Sequence, residues 1–148
     1  MAKTLYTAQA RVEGGRDHGR GASSDGELEV DLRLPAEMGG QGGGTNPEQL
    51  FAVGYAACFE GALGAAARRL KVDIGEPVID SKVSLHPNDA RGFDLSVELD
   101  VTLPAIDDAA RAVGIVEAAH KICPYSNATR GNIPVTLTAN GQAVPGPA

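Results

Sequence analysis

The stretch TNPEQLFAVGYAACFEGALGAAARRL, residues 45–70, decides the fold. Asn46 reads as the N-cap of a helix, Pro47 occupies the first helical position without losing a needed donor, and Gln49 falls at the third. From there to about Leu70 apolar residues stand on nearly every side. Glu60 is the only charge in the middle, and Arg68, Arg69 and Lys71 gather at the end where cations suit the helix dipole. A helix apolar all round is expected to be buried. A chain this short has few elements to cover one, so pairing with a second copy through this region is expected.

Outward from this helix, Thr4–Val12 alternates loosely and reads as a strand, closed by Gly14-Gly15 and followed by a polar turn through Gly21. Glu27–Leu34 alternates strictly, charged against aliphatic, and ends at Pro35. Downstream, Pro77–Leu85 and Phe93–Leu103 form a hairpin about a loop at 86–92. Asp107-Asp108 open a second helix whose apolar face carries Ala109, Ala112, Val113, Val116 and Ala119. It stops near Cys123-Pro124, because the residue before proline avoids the α region. Ile133–Thr138 is the last strand. The order shows no repeat and no βαβ rhythm, which predicts an α+β domain. Residues 1–140 read as that single domain, and the Gly- and Pro-rich 141–148 as a disordered tail.

Composition narrows the function. The 148 residues are 43% hydrophobic and 22% charged, enough for a core, and the net charge of -6 lacks the basic footprint of a nucleic-acid binder. No membrane partner is expected either, since no run reaches the roughly 18–20 apolar residues of a span, and the first fifteen residues hold no signal-like apolar core. The expectation is a cytoplasmic protein. A reducing compartment disfavours structural disulfides, so the two cysteines, Cys58 and Cys123, are either catalytic or incidental.

Several motifs reduce to plainer readings. Gly39 and Gly44 have P-loop spacing, but Thr45 stands where the lysine belongs. His120 and Cys123 could ligate a metal, yet the chain offers no set of four for structural zinc. Asn127-Ala128-Thr129 matches a glycosylation sequon without a secretory context. The cysteines lie too far apart for a C-x-x-C pair, and spacing alone leaves them as two buried thiols. A reactive Cys58 needs a nearby cation within an apolar setting that would otherwise raise its pKa. Arg16 and Arg130, both in polar loops, are candidates, and spacing does not choose between them.

Four motifs carry a resemblance: Gly14-Gly15-Arg16-Asp17, Thr45–Phe51, Gly54-Tyr55-x-x-Cys58-Phe59 and the ten-residue block Cys123–Asn132. Together they resemble the organic hydroperoxide resistance branch of the Ohr/OsmC family, over about positions 4–139. The arginine after Gly-Gly favours this branch over the OsmC one. His18 lengthens the turn after Arg16 relative to the commoner pattern, and the tail extends past the usual end. The resemblance implies antiparallel sheets packed around central buried helices in an intertwined homodimer. It also implies a cysteine-based, metal-free peroxidase with no cofactor, acting in the oxidative stress response on alkyl and fatty-acid hydroperoxides. The implied reductant is a lipoylated protein or another dithiol.

By motif, Cys58 corresponds to the peroxidatic thiol, Cys123 to the resolving thiol, Arg16 to the cation beside Cys58, and Glu48 to the carboxylate that holds Arg16. Phe51, Tyr55 and Phe59 are expected to line the substrate pocket, although each also suits plain core packing. The competing expectation is a non-catalytic protein that binds an apolar small molecule, with Cys58 merely lining the pocket.

Overall fold

The computed structural model describes residues 2–145. The chain, expected to be one domain over 1–140, packs as two compact units, Met1–Leu50 and Phe51–Ala148.

The first unit holds a three-stranded antiparallel sheet, β1 (Ala10–Glu13), β2 (Arg20–Ser23) and β3 (Glu29–Asp31). The strand expected over Thr4–Val12 is paired only from Ala10. Residues 2–9 are exposed, with Leu5 95% accessible, because alternation without a neighbouring strand leaves the backbone to water. Between β1 and β2 a single helical turn, α1 (Gly15–His18), starts from Gly14 and Gly15 at φ 83° and 76°, a region glycine enters without steric cost.

The long helix α2 (Pro47–Leu70) begins as its sequence requires. The Gln49 N–H donates to Asn46 Oδ1 at 2.9 Å, and the Thr45 hydroxyl bonds the Gln49 side chain at 2.7 Å. It is not covered on all sides. Tyr55, Phe59, Ala62, Leu63, Ala66 and Ala67 form one buried stripe, whereas Val53 is 70% exposed and Ala57 and Gly61 share its outer side. By length and a mean hydropathy of 1.5, α2 matches a membrane span, an overlap the sequence reading did not foresee. Its buried stripe belongs to the apolar core of the second unit.

That unit contains a four-stranded sheet in the order β4 (Val78–Pro87), β5 (Phe93–Thr102), β6 (Val135–Ala139), β7 (Gln142–Ala143). β4 and β5 form the expected hairpin. β5 and β6 run parallel, so the sheet is mixed rather than antiparallel. The crossover passes through α3 (Ala109–Ile122) and α4 (Pro124–Thr129), a βαβ connection that local periodicity did not reveal. Asp108 caps α3 by accepting from the Ala110 and Arg111 N–H groups. Ala112, Ile115, Val116, Ala119 and Cys123 of the crossover meet Val97, Leu99 and Val101 of β5 in one core.

The tail is ordered where it is described. β7 pairs with β6, the Val144 N–H donates to the Leu137 carbonyl at 2.9 Å, and the Val144 side chain packs on the core. Residues 146–148 lie outside the described residues.

Candidate active site

In the first unit, Arg16 on α1 and Glu48 in the first turn of α2 form an ion pair, Nη2 to Oε2, at 2.8 Å. The Glu48 side chain is 17% exposed and that of Arg16 37%, so the pair is half-buried and its geometry is held from the carboxylate side. Arg16 Nε is buried without a hydrogen-bond partner among the described residues. Buried donors are nearly always satisfied, which makes this N–H an exception. The sequence-predicted pairing of these two residues is thus present in the structure.

In the second unit, Cys58 lies in the middle of α2 and Cys123 between α3 and α4. Their sulfurs are 3.6 Å apart, and both are free. Cys123 is fully buried and Cys58 only half-buried. Burial pushes the Cys58 thiol above its ordinary pKa. A backbone hydrogen bond from Tyr125 pulls it down, and the neighbouring Cys123 sulfur pushes it up again. Within this unit the net effect is a raised Cys58 pKa.

Sequence reasoning missed the corner that carries Cys123. The ring of Tyr125 lies 5.9 Å from that of Phe51 and 5.7 Å from that of Tyr55, centroid to centroid. Behind it, the Tyr55 hydroxyl bonds Ser126 Oγ at 2.8 Å and Thr129 Oγ1 at 3.2 Å, and His120 Nδ1 bonds the same Ser126 Oγ at 2.8 Å. Arg130, the second candidate cation, bonds Asn127 Oδ1 at 2.7 Å and the His120 carbonyl, capping the end of α3. The signal was present in the Cys123–Asn132 block, where Thr129 and Arg130 follow Ser126 by about one helical turn.

Of the three expected pocket residues, Phe51 lines a cleft of about 720 Å³ with Phe93, Leu95, Pro124, Tyr125 and Ile133. Tyr55 and Phe59 are fully buried in the core. Because α2 is apolar on every side, the sequence could not tell its cleft-facing positions from its core-facing ones.

Thiols in contact, an arginine–glutamate pair and an α+β fold with a long core helix define a class. The family model for OsmC-like protein matches residues 40–138, and the chain belongs to that family. It is 54% identical over 138 residues to the organic hydroperoxide resistance protein of Xanthomonas axonopodis pv. citri, covering 92% of this chain and 95% of that one. Two crystal structures share the fold. One is an organic hydroperoxide resistance protein from Legionella pneumophila, with a TM-score of 0.87 at 46% identity, covering 92% of this chain and 98% of that one. The other is OhrB of Bacillus subtilis, with a TM-score of 0.82 at 45% identity and coverage of 91% and 98%.

Proposed function

We propose that this protein is a thiol peroxidase that reduces organic hydroperoxides to alcohols. The Cys58 thiolate attacks the outer peroxide oxygen, the O–O bond breaks, the alkoxide leaves and takes a proton, and Cys58 becomes a sulfenic acid. The Cys123 sulfur then attacks that sulfenic sulfur, water leaves, and a Cys58–Cys123 disulfide forms. A dithiol of the lipoyl type restores both thiols and is itself oxidised to a disulfide. The observation that carries this reading is the 3.6 Å contact of two free sulfurs from separate elements. A disulfide needs about 2.05 Å, an approach of roughly 1.5 Å.

Arg16 acts on the oxygens rather than chiefly on the thiol. For an ordinary thiol, lowering the pKa by about three raises the thiolate fraction at pH 7 roughly 30-fold. The same change costs roughly 16–30-fold in nucleophilicity, so acidification alone gains almost nothing. A guanidinium that donates to the developing alkoxide, held in place by Glu48, lowers the barrier instead. The unpartnered Arg16 Nε supports this role. The protein works as a cytoplasmic homodimer in this reading, and the exposed Val53 side of α2 suits a second copy.

A second reading, an apolar small-molecule binder without catalysis, is favoured by the raised Cys58 pKa and by the apolar cleft at Phe51 and Tyr125. Steady-state turnover of an alkyl hydroperoxide with dihydrolipoamide separates the two. The peroxidase reading expects turnover that Cys58→Ser abolishes, and retained activity in that variant would overturn it.

A further inference from the structure

We infer that Tyr55, Ser126 and His120 form a positioning network that holds the Cys123 corner against Cys58 and thereby sets how fast the sulfenic acid is trapped. The inference rests on the peroxidase reading and adds residues to which that reading gave no such part.

Cys123 is the single extended residue, at φ -62° and ψ 122°, at which α3 stops and α4 starts. Its own N–H is tied back to Ala119, but no regular helical ladder runs across the corner with Pro124 at the head of α4. The two arms are joined by a side-chain bond. His120, three residues before Cys123, meets Ser126, three residues after it, at 2.8 Å. The Tyr55 hydroxyl ties that same Ser126 to α2 at 2.8 Å, and Tyr55 lies three residues before Cys58, on the neighbouring turn of the helix. One oxygen therefore links both arms of the Cys123 corner to the helix that carries Cys58.

All three side chains are buried: Tyr55 and Ser126 fully, and His120 to 6% exposure. A buried polar group costs free energy unless it is bonded, and apolar groups of the same shape serve stability as well or better. Stability alone therefore does not require a hydroxyl–hydroxyl–imidazole chain inside an apolar core, whereas a fixed corner gains from its directionality. Trapping is sensitive to that geometry, because the sulfur pair must shorten from 3.6 Å with no room for misplacement.

The test uses the full-length protein and tert-butyl hydroperoxide without reductant, with acid-quenched samples analysed by mass spectrometry. Ser126→Ala is expected to form the Cys58 sulfenic acid at the wild-type rate but to form the disulfide roughly three- to tenfold more slowly. Its sulfinic fraction should rise under excess peroxide. Tyr55→Phe, which keeps the ring and the core packing, is expected to slow the disulfide step in the same way. Wild-type disulfide rates in both variants, or equal slowing of both steps, would overturn the inference and mark the network as structural. A wild-type protein that makes no Cys58–Cys123 disulfide would instead overturn the peroxidase reading beneath it.

Discussion

Gly54 faces Tyr125 so closely that a Cβ built on the glycine would lie 3.0 Å from the tyrosine hydroxyl oxygen. The glycine makes room for the ring of the residue whose backbone lowers the Cys58 pKa. The contact is to the far end of a side chain that is 38% exposed, so a single methyl can be accommodated by a small tilt. Gly54→Ala is expected to change stability by less than about 1 kcal/mol, because the gain in helix propensity offsets the tilt. Gly54→Leu should cost about 1–3 kcal/mol by overpacking. Chemical denaturation of the two variants checks the contrast.

The half-buried Cys58 and the fully buried Cys123 predict different fates for their serine variants. Cys58→Ser should consume no hydroperoxide. Cys123→Ser should consume about one equivalent and then accumulate sulfenic and sulfinic acid at Cys58, because no thiol is left to trap the first product. Intact-mass spectra of peroxide-treated protein decide it. An unmodified thiol in Cys123→Ser would count against a peroxidatic Cys58.

Removing either member of the Arg16–Glu48 pair should affect rate much more than stability. A pair this accessible on the arginine side contributes about 1 kcal/mol or less to folding. Arg16→Ala loses the donors to the leaving oxygen and should lower kcat/KM by roughly 10²–10³. Glu48→Gln keeps the arginine but loosens its orientation, and a smaller loss of rate is expected. Steady-state kinetics beside thermal melts separate the two effects.

The Cys58 and Tyr55 hydrogens are both held above their ordinary pKa values, and burial is the largest cause for each. For an acid raised on folding, the neutral form is favoured in the native state. The associated stability is complete below the unfolded pKa and is lost as pH rises through the folded one. Urea midpoints should therefore fall as the solution is taken from neutral into the alkaline range, first through the thiol and then through the phenol. Tyr55→Phe should flatten the later part of that decline.

Much of this architecture was legible in the sequence. The cap at Asn46, the hairpin of β4 and β5 and the end of α3 at Cys123 follow from local chemistry, and local chemistry is what a sequence displays. The parallel closure of β5 on β6 was not legible, since strand pairing across a crossover leaves no periodic trace. Nor was α4, because Cys123-Pro124 signals that a helix stops and the same proline suits the first position of the next one. Residues 4–8 carry strand alternation with no strand paired to them among the described residues. At the site, spacing left Arg16 and Arg130 equivalent. The family motifs paired Arg16 with Glu48, and the folded chain shows that ion pair and Arg130 committed to capping α3.

The parallel pairing of β5 with β6 also governs when the sulfurs can first meet. Cys123 lies inside the crossover that joins those strands, and Cys58 lies upstream of both, so the contact is among the long-range closures of the fold. Such closures cost loop entropy before their contacts repay it. The two thiols are therefore separate until the chain has closed, and their 3.6 Å contact belongs to the finished topology. In the peroxidase reading, formation of the disulfide under mild oxidant therefore reports completed folding as well as turnover.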